Sequence, residues 1–168
     1  MNPDLERVRH VEVNELNYLA NQPDVLPFIS RDARRLDLDW VYKRPGSYVL
    51  GHKSLPGAVV FLLNEPGVYE CHYLAPGHGG LRLARMAVDW LFTFTDAQAI
   101  IGNTPRDNLA ARLTNRWLGG SAVSERYLDG YWTVQYELTR DKWASLQGDQ
   151  SAVKDTLLRG TITSKTLQ

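Results

Sequence analysis

The chain has 168 residues, 43% of them hydrophobic and 23% charged, and its 19 basic and 19 acidic side chains cancel. This length suits one domain with a substantial core. The absence of net charge leaves no overall field that would recruit nucleic acid or an anionic membrane. The longest apolar runs, such as Ala58–Leu63, are far too short to span a bilayer.

The N-terminus and the cysteine content indicate a compartment. Met1-Asn2-Pro3-Asp4 lacks the basic and then apolar regions of a signal peptide. Cys71 is the single cysteine, so it has no internal disulfide partner and fits a reducing environment. We therefore expect a cytoplasmic protein.

The elements predicted from hydrophobic periodicity and turn residues alternate between strands and helices. In chain order they are a strand over 6–13, helices over 14–20 and 31–38, strands over 47–52, 58–63 and 68–74, a helix after residue 80, a strand over 98–102, a helix from 107 or 108, and strands over 122–128 and 131–138. Asn14 and Ser30 are predicted to cap the first two helices. Leu36 and Trp40 are predicted to be buried anchors of the second.

Two later elements have the clearest local signals. The helix after residue 80 carries one apolar stripe, formed by Leu83, Met86, Ala87, Trp90, Leu91 and Phe94. Asp129-Gly130 between two alternating segments predicts a two-residue hairpin, whose second strand buries one face. Gly119-Gly120 is predicted to end the helix that begins near Asn108.

This order predicts an α/β (α+β) fold with a mixed central sheet and helices on both faces. We assign residues 1–143 to the domain. Residues 144–168 form a polar C-terminal tail by composition, in which Val153, Leu157 and Leu158 are spaced for one short helix.

A glycine-rich turn follows the strand over 68–74. The strand breaks at Pro76-Gly77, and His78-Gly79-Gly80 leads into the next helix. Backbone N–H groups at such a turn, together with the helix dipole, form a good phosphate cradle. Arg82 and Arg85 would add positive charge. The alternative is an ordinary turn into a helix, since glycine-rich turns are common.

A second motif lies downstream, where Asn108-Leu109-Ala110-Ala111 leads to Trp117-Leu118-Gly119. With the order of elements and the glycine turn, this motif resembles the Asn-x-x-Ala helix of the GNAT superfamily of acyl-CoA-dependent N-acyltransferases, over roughly residues 6–140. Asn21-Gln22-Pro23-Asp24-Val25 and Tyr69-Glu70-Cys71-His72 are more narrowly similar to GNAT-like proteins of tailed bacteriophages.

The resemblance implies a GNAT-like fold and acetyl-CoA as co-substrate, with the coenzyme A pyrophosphate at the glycine turn. Asn108 would bond the pantetheine arm or cap its own helix. The residues implied for cofactor binding are Leu74, Gly77, His78, Gly79, Gly80, Leu81, Arg82, Asn108 and Ala111. We expect no metal, because the four histidines are scattered without metal-ligand spacing.

Candidate catalytic residues lie on the strand before the glycine turn. Alternation places Glu70 and His72 on one face and Tyr69, Cys71 and Tyr73 on the other. Glu70 or His72 could remove a proton from an amine, directly or through water. The alternative makes Glu70 a rim carboxylate and His72 a structural residue. Cys71 is predicted to be a core residue, because no base accompanies it.

Two functions remain open. The first is direct transfer of an acetyl group from acetyl-CoA to an amine of a small molecule or protein. The second is a catalytically inactive phage virion or head-assembly protein, present in the host cytoplasm or the virion, whose tail contacts phage structural proteins. Asn115 favours the second, because many GNAT enzymes have a tyrosine there that reprotonates the thiolate. Leu81 and Leu83 also stand where small residues are usual.

Overall fold

The computed structural model describes residues 5–30, 32, 34–76 and 80–148. Its strands are β1 (Val8–His10), β2 (Tyr48–His52), β3 (Leu55–Glu65), β4 (Val68–Leu74), β5 (Ala99–Pro105), β6 (Ser121–Leu128) and β7 (Tyr131–Thr139). Its helices are a 3-10 turn (Leu5–Arg7), α1 (Val13–Ala20), α2 (Leu26–Ile29), α3 (Asp39–Lys43), α4 (Gly80–Phe94), α5 (Leu109–Trp117) and α6 (140–148). No helix in these ranges is long and apolar enough to cross a bilayer.

The described strands form one sheet in the order β1-β2-β3-β4-β5-β7-β6. β1 to β4 are an antiparallel meander, β4 and β5 are parallel, and β7 pairs antiparallel with both β5 and β6. The chain between β4 and β5 contains α4, as expected for a crossover between parallel strands. The predicted mixed sheet is therefore confirmed.

The sheet carries an apolar core on each face. On one face α4 packs through Leu83 and Leu91 against a cluster that includes Phe61 and Tyr69. On the other face the cluster includes Leu16 of α1 and Val41 of α3. Helices on both faces are thus confirmed, and the two cores together hold β2, β3 and β4 at the centre of the domain.

The hairpin signal is also confirmed. Asp129 and Gly130 join β6 to β7 with φ values of 50° and 88°. Two successive positive φ angles match the right-handed twist of the flanking strands. Glycine adopts this backbone region without a Cβ penalty, which explains why this dipeptide is a strong local signal.

The predicted helix over 31–38 is wrong. A short helix, α2, forms earlier, and residues 34–38 are irregular. Asn21 binds the backbone of Leu36 on both sides, donating from Nδ2 to its oxygen at 2.9 Å and accepting from its nitrogen at 2.8 Å. Asn17 Oδ1 accepts from the Leu38 nitrogen at 2.8 Å. These side chains satisfy backbone groups that a helix would otherwise have paired.

Three nearby predictions also need correction. Trp40 is 48% exposed on α3 and is not a buried anchor. The first strand has only three residues, because Leu5–Arg7 form a 3-10 turn. Asn14 lies inside α1, which follows Glu12 without a side-chain cap.

The last described helix, α6, packs along α4. Trp143 Nε1 donates to Asp89 Oδ1 at 3.2 Å, and Arg85 donates to Gln147 Oε1 at 3.2 Å. The predicted domain boundary at residue 143 falls within this helix and stays a prediction. Residues 149–168 lie outside the described residues.

Candidate functional site

The two parallel strands separate at their carboxyl ends. β4 pairs with β5 through Val68 with Ala99, Tyr69 with Ile100 and Glu70 with Ile101. Both strands then continue, β4 to Leu74 and β5 to Pro105, beyond the paired region. The result is a V-shaped opening in the sheet, at the edge where ligands of α/β proteins commonly bind.

Two helices begin at the same edge. α4 follows β4 and starts at Gly80, and α5 follows β5 and starts at Leu109. The first N–H groups of a helix lack intrahelical acceptors, and the helix dipole makes this end partly positive. Asn108 caps α5 as predicted, since its Oδ1 accepts from the Ala111 nitrogen at 3.1 Å. The edge therefore favours polar or anionic ligand groups.

A cavity of about 460 Å³ occupies the opening. Its walls are the separated strands, the start of α4, the inward side of α5 and the segment around α2. The lining residues are Asp24, Val25, Phe28, Ile29, Cys71, His72, Tyr73, Ala75, Gly80, Leu81, Asn103, Thr104, Pro105, Asn108, Ala110, Ala111, Thr114 and Asn115. This volume is in the range of small-molecule sites.

The predicted cofactor residues near α4 divide into three groups. Gly80 and Leu81 line the cavity, and a Cβ on Gly80 would lie 2.9 Å from Ala75 Cβ, so position 80 favours glycine. Arg82 is exposed, and Leu74 is buried in the core on the α1 side. The predicted residues Gly77, His78 and Gly79 lie outside the described residues.

Arg85 contacts residues of α5 and α6. Its guanidinium lies 5.9 Å from the ring centres of both Trp117 and Trp143, in addition to its bond to Gln147. Such contacts are cation–π interactions. These contacts join α4, α5 and α6, and the predicted role of Arg85 in supplying charge to a phosphate stays a prediction.

Glu70 and His72 share one face, as predicted. His72 Nε2 lies 3.5 Å from Glu70 Oε1, and the same carboxylate oxygen accepts a hydrogen bond from Asn103 Nδ2 at 3.2 Å. Asn103 comes from β5, two residues beyond the last paired position. The carboxylate thus sits at the base of the opening between a hydrogen-bond donor and an imidazole. The catalytic role of either residue stays a prediction.

The imidazole of His72 is neutral near pH 7. Burial lowers its pKa below the ordinary value of 6.5, the Glu70 carboxylate opposes this change, and the charge of Arg44 adds to it. The side chain is 42% exposed, and His72 is one of the residues that line the cavity. A neutral imidazole can accept a proton.

Replacing Glu70 by glutamine is expected to lower the pKa of His72 further. The Glu70 carboxylate favours the protonated imidazole, so its removal favours the neutral form and moves the titration to lower pH. NMR titration of the His72 ring resonances, assigned by comparison with His72→Gln, measures the effect. Glu125→Gln on β6 is the matched control, and an unchanged or raised pKa in Glu70→Gln would contradict the coupling.

Asn115 and Cys71 do not add acid or nucleophile chemistry. Asn115 is buried, and its Nδ2 donates to Thr104 Oγ1 at 2.9 Å, so it ties α5 to β5. Burial raises the pKa of Cys71 to about 12, which keeps it a thiol and removes its nucleophilic form. Cys71 lies in the α4-side core, as predicted.

The sequence analysis missed two groups of cavity residues. Asn103 follows the predicted end of its strand at 102, although a polar residue just past a buried strand is a usable signal at a parallel sheet edge. Asp24 and Phe28 line the far side of the cavity. Asp24 belongs to the Asn21-Gln22-Pro23-Asp24-Val25 motif, and Phe28 follows it by three residues; this motif entered only as part of the resemblance.

A metal centre has no support within the described ranges. No group of three or more histidine, cysteine, aspartate or glutamate side chains there is placed to hold a metal ion.

The sequence matches no protein-family model and no curated protein. Solved structures nevertheless share the fold. Aminoglycoside acetyltransferase AAC(6')-Ib, in complex with coenzyme A and kanamycin, is 15% identical with a TM-score of 0.65, and the alignment covers 83% of this chain and 98% of that one. A spermidine N-acetyltransferase SpeG chimera from Vibrio cholerae and hSSAT is 18% identical with a TM-score of 0.61, covering 82% and 98%.

A GCN5-related N-acetyltransferase from Brucella melitensis is also similar, at 14% identity and a TM-score of 0.63, covering 86% of this chain and 80% of that one. These likenesses span most of each chain and include proteins described as GNAT enzymes. The chain therefore has the GNAT fold. At these identities the likeness establishes the fold alone.

Proposed function

We propose that this protein is an N-acetyltransferase that moves the acetyl group of acetyl-CoA to an amine. The observation that carries the proposal is the cavity between diverging parallel strands, with His72 in its wall and two helix N-termini at its edge. The Glu70 carboxylate lies 3.5 Å from His72 Nε2. The aminoglycoside acetyltransferase of the same fold was solved with coenzyme A bound, which supports the choice of co-substrate.

The chemistry of coenzyme A fits these walls. Where β4 and β5 separate, the backbone groups that would have paired the strands face the opening, and the amides of the pantetheine arm can bond to them. Ala110 and Ala111 of α5 line the cavity, and their small side chains leave room for the pantetheine arm. The pyrophosphate would lie at the start of α4, where N–H groups and the helix dipole favour an anion.

The reaction needs a proton acceptor more than a proton donor. An amine is mostly protonated at neutral pH and must lose a proton before it attacks the thioester carbon. Neutral His72 can take that proton, and Glu70 stabilises the imidazolium that forms. The nitrogen then bonds to the thioester carbon and loses a second proton to water as the C–S bond breaks and releases a thiolate, whose conjugate thiol ordinarily has a pKa of about 8.5. Because water can reprotonate it, Asn115 in place of an acid does not prevent turnover.

Acetyl-CoA is expected to raise the melting temperature by about 3–6 °C at a tenfold excess over its Kd. Differential scanning fluorimetry measures the shift. Ala111→Trp would fill the cavity wall and abolish it, whereas Ala144→Trp, on the exposed side of α6, is the matched control and should keep it. An unchanged melting temperature at millimolar acetyl-CoA would refute the proposal.

A second candidate is a protein of this fold that binds coenzyme A or a partner without catalysis, such as a phage structural protein. The observation that favours it is Asn115, whose side chain donates a hydrogen bond to Thr104 and carries no acidic proton. Release of coenzyme A thiol from acetyl-CoA distinguishes the two candidates. A thermal shift without release of coenzyme A thiol, across a panel of polyamines and aminoglycosides, would favour the second.

A further inference from the structure

α5 presents its apolar residues outward. Leu109, Leu113 and Trp117 are spaced four apart and are 61%, 54% and 53% exposed; we call them the α5 stripe. The inward side carries Ala111 and Asn115. A helix on a sheet normally buries its apolar stripe. In the part of the chain that the structure describes, α5 instead exposes its apolar stripe to solvent.

The end of α6 lies beside one end of the stripe. Arg85 is placed between Trp117 and Trp143 and also bonds Gln147. Leu146 lies directly over Gly119, where a Cβ would overlap it. The chain therefore leaves the described structure at Gly148 close to Trp117.

The segment that follows has a suitable length and pattern. Twenty residues come after Gly148, and Val153, Leu157 and Leu158 have the spacing of one helical face. The stripe is about 12 Å long. The five backbone steps from Gly148 to Val153 span at most about 18 Å, which exceeds the length of the stripe.

We propose that the α5 stripe is the docking surface for the chain's own C-terminal segment, residues 149–168, through Val153, Leu157 and Leu158. The proposal does not depend on the acetyltransferase activity. An attached segment binds at a millimolar effective concentration. A second copy would need an interface of about 1,200 Å² or more, and three side chains offer only a small part of that area.

Docking would explain how a wall of the cavity is kept in place. The inward side of α5 is small and polar, so it buries little apolar surface against β5 and contributes little to stability by that route. Covering the outer side adds apolar burial to the same helix. The segment would then stabilise the wall formed by Ala111 and Asn115 without touching the cavity.

Engineered disulfides in the full chain test the proposal. We expect mild oxidation of Leu113→Cys/Leu157→Cys or Leu113→Cys/Leu158→Cys to give a monomer with an internal crosslink, seen as faster non-reducing gel migration. The native Cys71 stays silent, because it is buried and burial raises its pKa to about 12. Tyr18→Cys/Leu157→Cys is the control, since Tyr18 is exposed on α1 across the sheet.

Two results would overturn the proposal. Disulfide-linked dimers of the single variant Leu113→Cys would show that a second copy covers the stripe. Absence of a crosslink in both pairs, with the Leu113→Cys variant reacting with a maleimide as fast as the Tyr18→Cys variant, would show that the stripe is open. Circular dichroism of each variant confirms that the fold is kept.

Discussion

Replacing His72 by glutamine is expected to lower kcat/KM for acetyl transfer by about 10²–10⁴-fold, with acetyl-CoA binding retained. Glutamine keeps the approximate size and a polar end but cannot accept a proton at neutral pH. The loss therefore falls on deprotonation of the amine. The backbone of β4 and the start of α4, which would hold the co-substrate, are unchanged by the substitution.

Thiol release from acetyl-CoA, followed with a chromogenic disulfide, measures the rate, using an acceptor found in the amine panel. The thermal shift with acetyl-CoA measures binding in the same samples. His10→Gln is the matched control, since His10 is exposed on β1 and packs edge-on against Trp90. Unchanged kcat/KM in His72→Gln would assign the proton transfer to Glu70 or to water and refute the role given to His72.

The sign of the pH dependence follows from the lowered pKa of His72. Only the neutral ring accepts a proton, so kcat/KM should rise with pH through a pKa below the ordinary value of 6.5. Burial also makes protonation less favourable in the folded state than in the unfolded one. His72 therefore reduces stability as pH falls below 6.5, until the folded-state pKa is passed.

Elements with local signals could be predicted from the sequence. β4 has the predicted bounds Val68–Leu74, and Asp129-Gly130 forms the expected turn. In both, the information lies in adjacent residues: alternating side chains in a strand and positive-φ residues in a turn. The shared face of Glu70 and His72 followed from the same alternation.

Features set by distant residues could not be predicted in this way. Residues 34–38 are irregular because Asn21, 15 positions before Leu36, and Asn17, 21 positions before Leu38, bind their backbone. Asn103 reaches Glu70 only because β5 lies parallel to β4. A helical pattern likewise shows that Leu109, Leu113 and Trp117 share a face, but not that this face is exposed.

Replacing Arg140 by alanine is expected to lower the free energy of unfolding by about 2–4 kcal/mol, because hydrogen bonds from a charged group contribute about 1.5–3 kcal/mol each and their effects are not additive. The guanidinium donates to the backbone oxygens of Ala97 at 2.7 Å, of Thr95 at 2.8 Å and of Phe92. These carbonyls lie at or just after the end of α4, where a helix leaves acceptors unpaired and its dipole favours a cation.

Urea denaturation followed by circular dichroism measures the change. Arg140→Lys should recover only part of the loss, since one amino group cannot reach all three oxygens. Arg116→Ala, on the exposed side of α5, is the control and should change stability by less than about 0.5 kcal/mol. If Arg140→Ala stayed within that margin, the carbonyls would have to be equally well satisfied by water.

The same substitution separates support of the fold from the site itself. Arg140 also donates its backbone N–H to the Gln98 oxygen at 2.8 Å, so it fixes the loop that leads into β5 at the paired end of the two strands. The opening begins beyond Ile101, at the other end. Arg140→Ala should therefore lower the melting temperature of the free protein while the increase caused by acetyl-CoA keeps its size, because the cavity walls do not contact this guanidinium.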